Sequence, residues 1–237
     1  MVSMDYSYLD ANVAEVRGRI ARAAADAGRD ASGITLLAAV KYTDVDTVNY
    51  LHDHCGINDI GENRVQQLLA RWDGLHREGL NVHFIGSLQT NKVKYIIDKV
   101  CMIHSVDSLK LAEEISARSR AAGRVMDVLV EINCGREESK SGVMPEDAAA
   151  LAASVAALPG VALRGFMTMA PKCDSEALYD KYFEETFQLI IDIWHEKLHN
   201  IKRPVISMGM SGSFESAVRH GSTCVRVGRR LFCPPEL

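Results

Sequence analysis

A lysine closes one of the most apolar runs of the chain. Residues 36–40 are leucine, alanine and valine, and Lys41 follows them directly. An amine held against an apolar wall loses water of hydration, which favours the neutral form that attacks an aldehyde. The position equally suits a lysine that lays its stem along apolar surface and keeps its ammonium in water. From the residue alone, Lys41 is either a nucleophile or an ordinary strand-end lysine.

A glycine- and serine-rich segment at 207–213 is a second place where chemistry is expected. It separates an apolar run from a stretch with helical periodicity, so it leaves free N–H groups at a helix start. Such groups, with the helix dipole behind them, bind phosphate. The alternative is that Ser211 or Ser213 caps the helix, with Glu215 in support. The segment predicts either a phosphate seat or a capped helix.

An arginine interrupts the last apolar run. Arg226 stands between Val225 and Val227 in a segment that otherwise predicts a buried strand. A buried guanidinium needs acceptors, so Arg226 faces either a group such as a pyridine nitrogen or a carboxylate such as Glu131. Arg229 follows the strand, where a solvent-facing role is the alternative to a role in a site.

The elements that must position these residues alternate regularly. Apolar runs predict eight buried strands at 34–41, 57–61, 82–87, 102–106, 126–133, 161–169, 205–210 and 223–227. Helical periodicity appears at 8–27, 45–54, 64–76, 91–98, 108–122, 146–156, 177–198 and 214–220. Strands that are apolar on both faces are covered by helical crossovers, and eight such units favour closure. We predict an α/β fold, a single-domain (β/α)8 TIM barrel over residues 1–237, with an extra N-terminal helix in 1–30 and the barrel at 34–232.

In such barrels, functional residues gather at the C-terminal ends of the strands, and phosphate sites form in the loops after strands seven and eight. Lys41 closes the first predicted strand, Asn63 follows the second, and Gly228 follows the eighth. The candidate residues therefore converge on one end of the barrel.

Composition excludes several classes of function. The charge is 27 basic against 31 acidic residues, a net −4 without a long basic run, so nucleic acid and membranes are not expected partners. No secretory signal or membrane-spanning run is visible. Six widely spaced cysteines without a C-x-x-C pair predict free thiols in the cytoplasm and no metal site.

Six stretches of the sequence together resemble the pyridoxal 5′-phosphate (PLP) homeostasis protein family, whose members are related to the N-terminal barrel of alanine racemase. They are Ala-Val-Lys at 39–41, Gly-Glu-Asn-Arg-Val-Gln at 61–66, His-Phe-Ile-Gly-Ser-Leu-Gln-Thr-Asn-Lys at 83–92, Ser-Lys-Ser-Gly at 139–142, Ser-Met-Gly-Met-Ser at 207–211 and Gly-Ser-Thr-Cys-Val-Arg-Val-Gly at 221–228.

The resemblance implies roles for individual residues. Lys41 matches the lysine that forms a Schiff base with the cofactor PLP, and Arg226 matches the arginine at the pyridine nitrogen. Asn63 falls near the ring. The phosphate is expected at Ser207, Ser211, Gly228 and Arg229. Arg229 stands where the family usually has a small hydroxyl residue, and Cys233 where it usually has glycine.

The resemblance also implies a PLP-holding protein, expected to be a monomer, that supplies the cofactor to apo-forms of PLP-dependent enzymes without substantial turnover. The alternative is an amino-acid racemase or a related PLP enzyme. Racemisation needs an acid or base on each face of the substrate. In the two-domain racemases the second base is a tyrosine of a C-terminal domain, which this sequence does not extend to. Tyr42 is the one tyrosine beside the predicted site. We therefore expect carriage, and no catalytic residue.

Overall fold

Eight parallel strands pair in chain order and close into a barrel through contacts between the last and the first. The computed structural model describes residues 6–41, 43–198 and 203–233. The strands are β1 (Thr35–Ala39), β2 (Asp59–Glu62), β3 (Asn81–Phe84), β4 (Met102–Val106), β5 (Met126–Ile132), β6 (Val161–Thr168), β7 (Val205–Met210) and β8 (Cys224–Val227). The predicted single-domain (β/α)8 barrel is confirmed.

The helices cover the outside of this barrel. They are α1 (Ser7–Asp26), α2 (Val45–Asp53), α3 (Val65–Arg71), α4 (Leu109–Ala121), α5 (Ala148–Ala156), α6 (Glu176–Lys197), α7 (Phe214–Arg219) and α8 (Arg229–Phe232). None of these helices, within the described residues, has the length and apolar character needed to cross a bilayer.

Three predicted helices differ in type or extent. The helix expected at 91–98 is a 3-10 helix over Thr90–Tyr95, and short 3-10 turns at Trp72–Gly74 and Pro145–Asp147 stand where α-helix was expected. The short helix α8 was not predicted, because four residues are too few to show a helical period. The strands β4 and β7 have the predicted ends, and the ends of the other strands differ from the prediction by at most three residues. The first strand is shorter than predicted, which leaves Lys41 in the turn after β1.

The predicted N-terminal helix α1 packs outside the barrel, beside the elements that end the chain. Its buried face repeats at helical spacing through Leu9, Val13, Val16 and Ile20. The Asn12 amide donates hydrogen bonds to the carbonyls of Leu231 and Cys233 at 3.0 and 2.9 Å. The helix therefore fastens the end of the barrel to its beginning.

Alternate strand residues separate an outer core from a narrow barrel interior. In β1, Ala38 belongs to the large core beneath the helices, whereas Leu37 packs in a small interior cluster with Ile85 and Cys224. A Cβ at Gly61 would lie 2.4 Å from Leu37 Cδ2 and 2.7 Å from Ile85 Cδ1, so this glycine leaves the space that the interior side chains fill.

A second glycine brings two of the loops at the C-terminal end of the barrel into contact. A Cβ at Gly86 would lie 2.0 Å from the carbonyl oxygen of Asn63, which is far inside van der Waals distance of a backbone atom. Only a residue without a side chain lets the loop after β3 pack on the loop after β2. This contact fixes the position of Asn63 along the barrel axis, at the C-terminal ends of the strands.

We predict that Gly86→Ala destabilises the fold by about 1–3 kcal/mol, because backbone cannot move aside as a flexible side chain can. Gly33→Ala is the matched control, since its Cβ would meet only Arg203 side-chain atoms, 3.8 Å away. Urea unfolding of both variants measures the difference. Equal stabilities would show that the two loops are free to separate.

Candidate functional site

A cavity of about 290 Å³ opens at the C-terminal ends of the strands. Side chains from the loops or ends of five strands line it, among them Lys41, Asn63, Ser87, Glu131, Ser141 and Met169. Two of the predicted site residues, Lys41 and Asn63, are thus brought together. Tyr42, the tyrosine next to the predicted site, lies outside the described residues.

The turn that carries Lys41 is held by an arginine from the outer layer. Arg71 at the end of α3 is buried and donates hydrogen bonds to the carbonyls of Val40 and Thr43, at 3.2 and 3.0 Å. Its Nε lies 2.9 Å from Glu62 Oε1 at the end of β2. The Arg71 guanidinium therefore binds backbone carbonyls before and after Lys41 in the sequence, and it links this turn to the end of β2.

Two amide side chains at the cavity have oxygen atoms that accept no hydrogen bond from the part of the chain that the structure describes. Asn63 Oδ1 and Gln67 Oε1 are buried and accept no hydrogen bond from any described residue, and both residues line the cavity. Buried polar atoms in folded proteins are nearly always hydrogen-bonded. These two oxygens therefore suit a ligand that brings hydrogen-bond donors, such as a hydroxyl group.

Glu131 adds an ionisable group that the sequence analysis treated only as a partner for Arg226. It is 2% exposed and lines the cavity. Burial, with a smaller contribution from nearby Asp107, outweighs the opposing charge of Arg226 and raises the pKa of its carboxyl to about 7. Glu131 can therefore exchange a proton near neutral pH. Its position near the C-terminal end of the predicted fifth strand, where sites of such barrels form, was the signal available in the sequence.

Arg226 lies in the interior of the barrel, 4% exposed, at the level of Leu37 on β1. Its Nη1 donates to the Ser207 carbonyl and hydroxyl oxygens at 2.7 and 2.6 Å, and its Nη2 donates to the Thr168 carbonyl at 2.8 Å. Glu131 acts on it through charge and accepts none of these hydrogen bonds. A guanidinium has five N–H groups, so two remain for another acceptor.

Of the four residues predicted to hold the phosphate, Ser207 lies within β7 and is fully buried, whereas Ser211, Gly228 and Arg229 follow β7 and β8. The Gly228 N–H donates to Ser211 Oγ at 3.2 Å, which joins the two loops, and the exposed Arg229 begins α8. Neither serine caps α7, because Ser213 Oγ accepts instead from the N–H of Met210. The capping alternative is therefore wrong.

The structure leaves backbone donors available at this joined pair of loops. The N–H groups of Ser211 and Gly212 donate to no acceptor among the described residues. A Cβ at Gly212 would meet nothing within 4 Å, so the approach to these groups is open. Ser211, Gly228 and Arg229 are grouped together, but they are not among the residues that line the 290 Å³ cavity.

The alanine racemase N-terminal domain family matches residues 7–234, so the chain belongs to this class of (β/α)8 barrels. Within it, the chain belongs to the pyridoxal phosphate homeostasis protein family. The protein of that name from Aquifex aeolicus is 40% identical over 220 residues, 93% of this chain and 95% of the relative. The family that the sequence motifs indicated is confirmed.

Two solved structures are similar over almost the whole chain. A protein of unknown function from Bifidobacterium adolescentis has a TM-score of 0.88 and 36% identity, with 97% of each chain covered. PipY of Synechococcus elongatus, solved with PLP bound, has a TM-score of 0.82 and 26% identity, covering 95% of this chain and 100% of PipY.

We predict that Arg71→Lys loosens the turn at Lys41 and costs about 1–3 kcal/mol, because an ammonium cannot reach Glu62 and two carbonyls at once. Hydrogen exchange of the Thr43 amide, whose N–H donates to Val40 at 3.3 Å, should accelerate. The control is Arg77→Lys, since Arg77 is exposed and stacks over Trp72. Unchanged exchange at Thr43 would contradict the role given to Arg71.

Proposed function

We propose that this protein binds PLP at the C-terminal end of its barrel and holds it on Lys41. The observation that carries the proposal is the convergence of Lys41 with the unpartnered oxygens of Asn63 and Gln67 in one cavity. PipY, a structural relative with 26% identity, contains bound PLP. PLP supplies an aldehyde, which the Lys41 amine attacks to form a Schiff base with loss of water.

Each end of the cofactor has fitting groups in this chain. Arg226 keeps two N–H groups for the pyridine nitrogen, and the Asn63 amide lies in the cavity with Lys41, within the space proposed for the ring and its oxygen. The phosphate is assigned to the joined loops, where the N–H groups of Ser211 and Gly212 are available. Ser207 supports Arg226 in this arrangement, so its contribution to the phosphate is indirect.

Arg229 adds charge near the phosphate but does not hold it alone. Its side chain is exposed, and exposed charge contacts are worth about 0–1 kcal/mol. The backbone donors around Ser211 and Gly228 do not depend on the identity of residue 229. The replacement of the family's small hydroxyl residue by arginine is therefore compatible with phosphate binding.

Glu131 is the group proposed to move the proton of Lys41. Attack on an aldehyde requires the neutral amine, and a carboxyl that titrates near neutral pH accepts a proton readily. Glu131 and Lys41 line the same cavity, and burial raises the pKa of Glu131 to about 7. Glu131 therefore serves loading and release of PLP on a lysine held in place by Arg71.

We infer that the protein carries PLP to apo-forms of PLP-dependent enzymes and does not turn over substrate appreciably. Relatives with 30–40% identity are named homeostasis proteins. An arginine at the ring nitrogen gives up no proton, which weakens the ring as an electron sink. Six free cysteines agree with a reducing, cytoplasmic location, and a monomer is the proposed state.

Incubation with PLP should produce an absorbance band that borohydride removes, and the reduced adduct should map to the peptide containing Lys41. Lys41→Ala should abolish the band, because the attacking amine is gone. Lys110→Ala, which removes an exposed lysine of α4, should leave it unchanged. An adduct on any other lysine in the wild-type protein would refute the assignment.

We predict that the PLP-loaded protein, incubated with L-alanine in deuterated water, introduces deuterium at Cα no faster than free PLP does. A carrier lacks a proton donor and acceptor arranged on both faces of a substrate. Deuterium exchange faster than that of free PLP would show that the protein is an enzyme and contradict the proposed role as a PLP carrier. In that case Glu131→Gln and Tyr42→Phe identify the group responsible, through loss of exchange in one variant and not the other.

A further inference from the structure

A continuous chain of polar side chains crosses the interior of the barrel. His83 Nε2 lies 3.0 Å from Asp59 Oδ1, and His83 Nδ1 lies 3.0 Å from His104 Nε2. His104 Nδ1 then lies 3.1 Å from Ser207 Oγ, which accepts from Arg226 at 2.6 Å. Five strands contribute one residue each, and the chain ends at the guanidinium proposed to meet the cofactor ring.

The chain opens to solvent at its other end. Asp59 is 27% exposed and lines a second cavity, of about 440 Å³, beside Arg17 and Ile20 of α1. His104 and Ser207 are both fully buried. The chain therefore connects the N-terminal end of the barrel to the interior below the proposed PLP site.

Such side chains are unusual in this position. Branched aliphatic residues fill the interior of most (β/α)8 barrels, and they pack without needing hydrogen-bond partners. A buried polar network generally gains no stability over a well-packed apolar core. The position of this network directly behind Arg226 points to a role in the site.

The two histidines differ in charge. Burial disfavours the charged form of His83, but the hydrogen bond to Asp59 and, after it, the nearby Cys101 outweigh burial and raise the pKa of His83 to about 9. Burial, followed by the positive charges of His83 and Arg226, lowers the pKa of His104 well below its usual value. At neutral pH, His83 is therefore a cation and His104 is neutral.

The charge of His83 fixes the direction of the two hydrogen bonds that His104 makes, one with His83 and one with Ser207. Protonated His83 donates from both nitrogens, so His104 accepts at Nε2 and carries its proton on Nδ1. His104 then donates to Ser207 Oγ. When His83 loses its proton, its Nδ1 becomes an acceptor, His104 donates from Nε2, and the Ser207 hydroxyl turns to donate to His104.

Other ionisable groups lie around the chain, in addition to Asp59 and Arg226. Cys101 before β4 acts on His83, Glu131 on β5 interacts with Arg226 through charge, and Cys224 on β8 interacts with Ser207 and Arg226. Burial raises the pKa of the Cys224 thiol to about 11, so it stays neutral at physiological pH. Asp59 is the carboxylate in direct contact with a histidine of the chain.

We propose that Asp59, His83 and His104 are positioning residues that act on Arg226 through Ser207. The protonation state of His83 sets whether the Ser207 hydroxyl accepts two hydrogen bonds or donates one, and hence how firmly Arg226 is held. In this way the open end of the barrel influences the electrostatic environment of the cofactor ring. The link to the ring rests on the proposed function, whereas the chain itself does not.

The first test uses the protein without cofactor and with 15N-labelled histidine. Long-range 1H–15N correlation spectra from pH 5 to 10 should show His104 with its proton on Nδ1 at pH 7. His83 should be doubly protonated there and lose a proton near pH 9. His104 protonated on Nε2 at pH 7, or His83 titrating near 6.5, would overturn the proposal.

The second test compares Asp59→Asn with Asp53→Asn, which removes a carboxylate from an exposed aspartate–histidine pair with His76 at 2.7 Å. Loss of an opposite charge within hydrogen-bond distance should lower the pKa of His83 by about 1–3 units. The absorbance band of the PLP-loaded protein should change with pH, and the midpoint of that change should fall together with the pKa of His83. Asp53→Asn should move neither quantity.

A third variant distinguishes an effect transmitted along the hydrogen-bonded chain from a local effect of Asp59 on the structure around it. His104→Asn keeps an N–H near Ser207 but is too short to place an acceptor at the position of Nε2, which faces His83. Adding Asp59→Asn to it should therefore no longer move the absorbance midpoint. A midpoint that stays fixed in Asp59→Asn while the His83 pKa falls would overturn the proposal. If the protein binds no PLP, the proposed function is contradicted instead. The spectra of the cofactor-free protein then still test the protonation states of His83 and His104.

Discussion

Removing the charge of Arg226 from water costs several kcal/mol unless its N–H groups find acceptors, and the interior of the barrel supplies them. Carbonyls of Ser207 and Thr168 accept from it, on the two strands before β8. The register of β7 against β8 shifts between Ser207 and Met210, next to the strand position that supplies one of these carbonyls.

The position of Lys41 depends on a different buried arginine, which links the outer layer of the protein to the inner one. Arg71 belongs to the helix α3 and does not line the ligand cavity, yet it donates hydrogen bonds to the carbonyls on either side of Lys41 in the turn after β1. The geometry of the lysine is therefore set jointly by β1 and α3. Packing of the outer helices is in this sense part of the site, and α3 also lines the ligand cavity directly through Gln67.

The sequence predicted the barrel because eight apolar runs separated by helical periods leave few other arrangements. It located Lys41 and Arg226 because a charged residue inside an apolar run is conspicuous. It did not reveal Gln67, because a glutamine in a helical stretch is typical of a solvated face. His83 and His104 were equally hidden, because contacts between different strands depend on the relative heights of those strands in the barrel. Local periodicity carries no information about that height.

The contact of Asn12 with Leu231 joins residues 219 positions apart, and pairing of β1 with β8 is similarly remote along the chain. During synthesis, β1 leaves the ribosome long before the strand that completes its hydrogen bonds exists. Until then β1 is an unpaired edge, able to add to any other exposed strand. Closure of the barrel consequently waits for the synthesis of β8, and chains that stop before β8 keep an exposed strand edge.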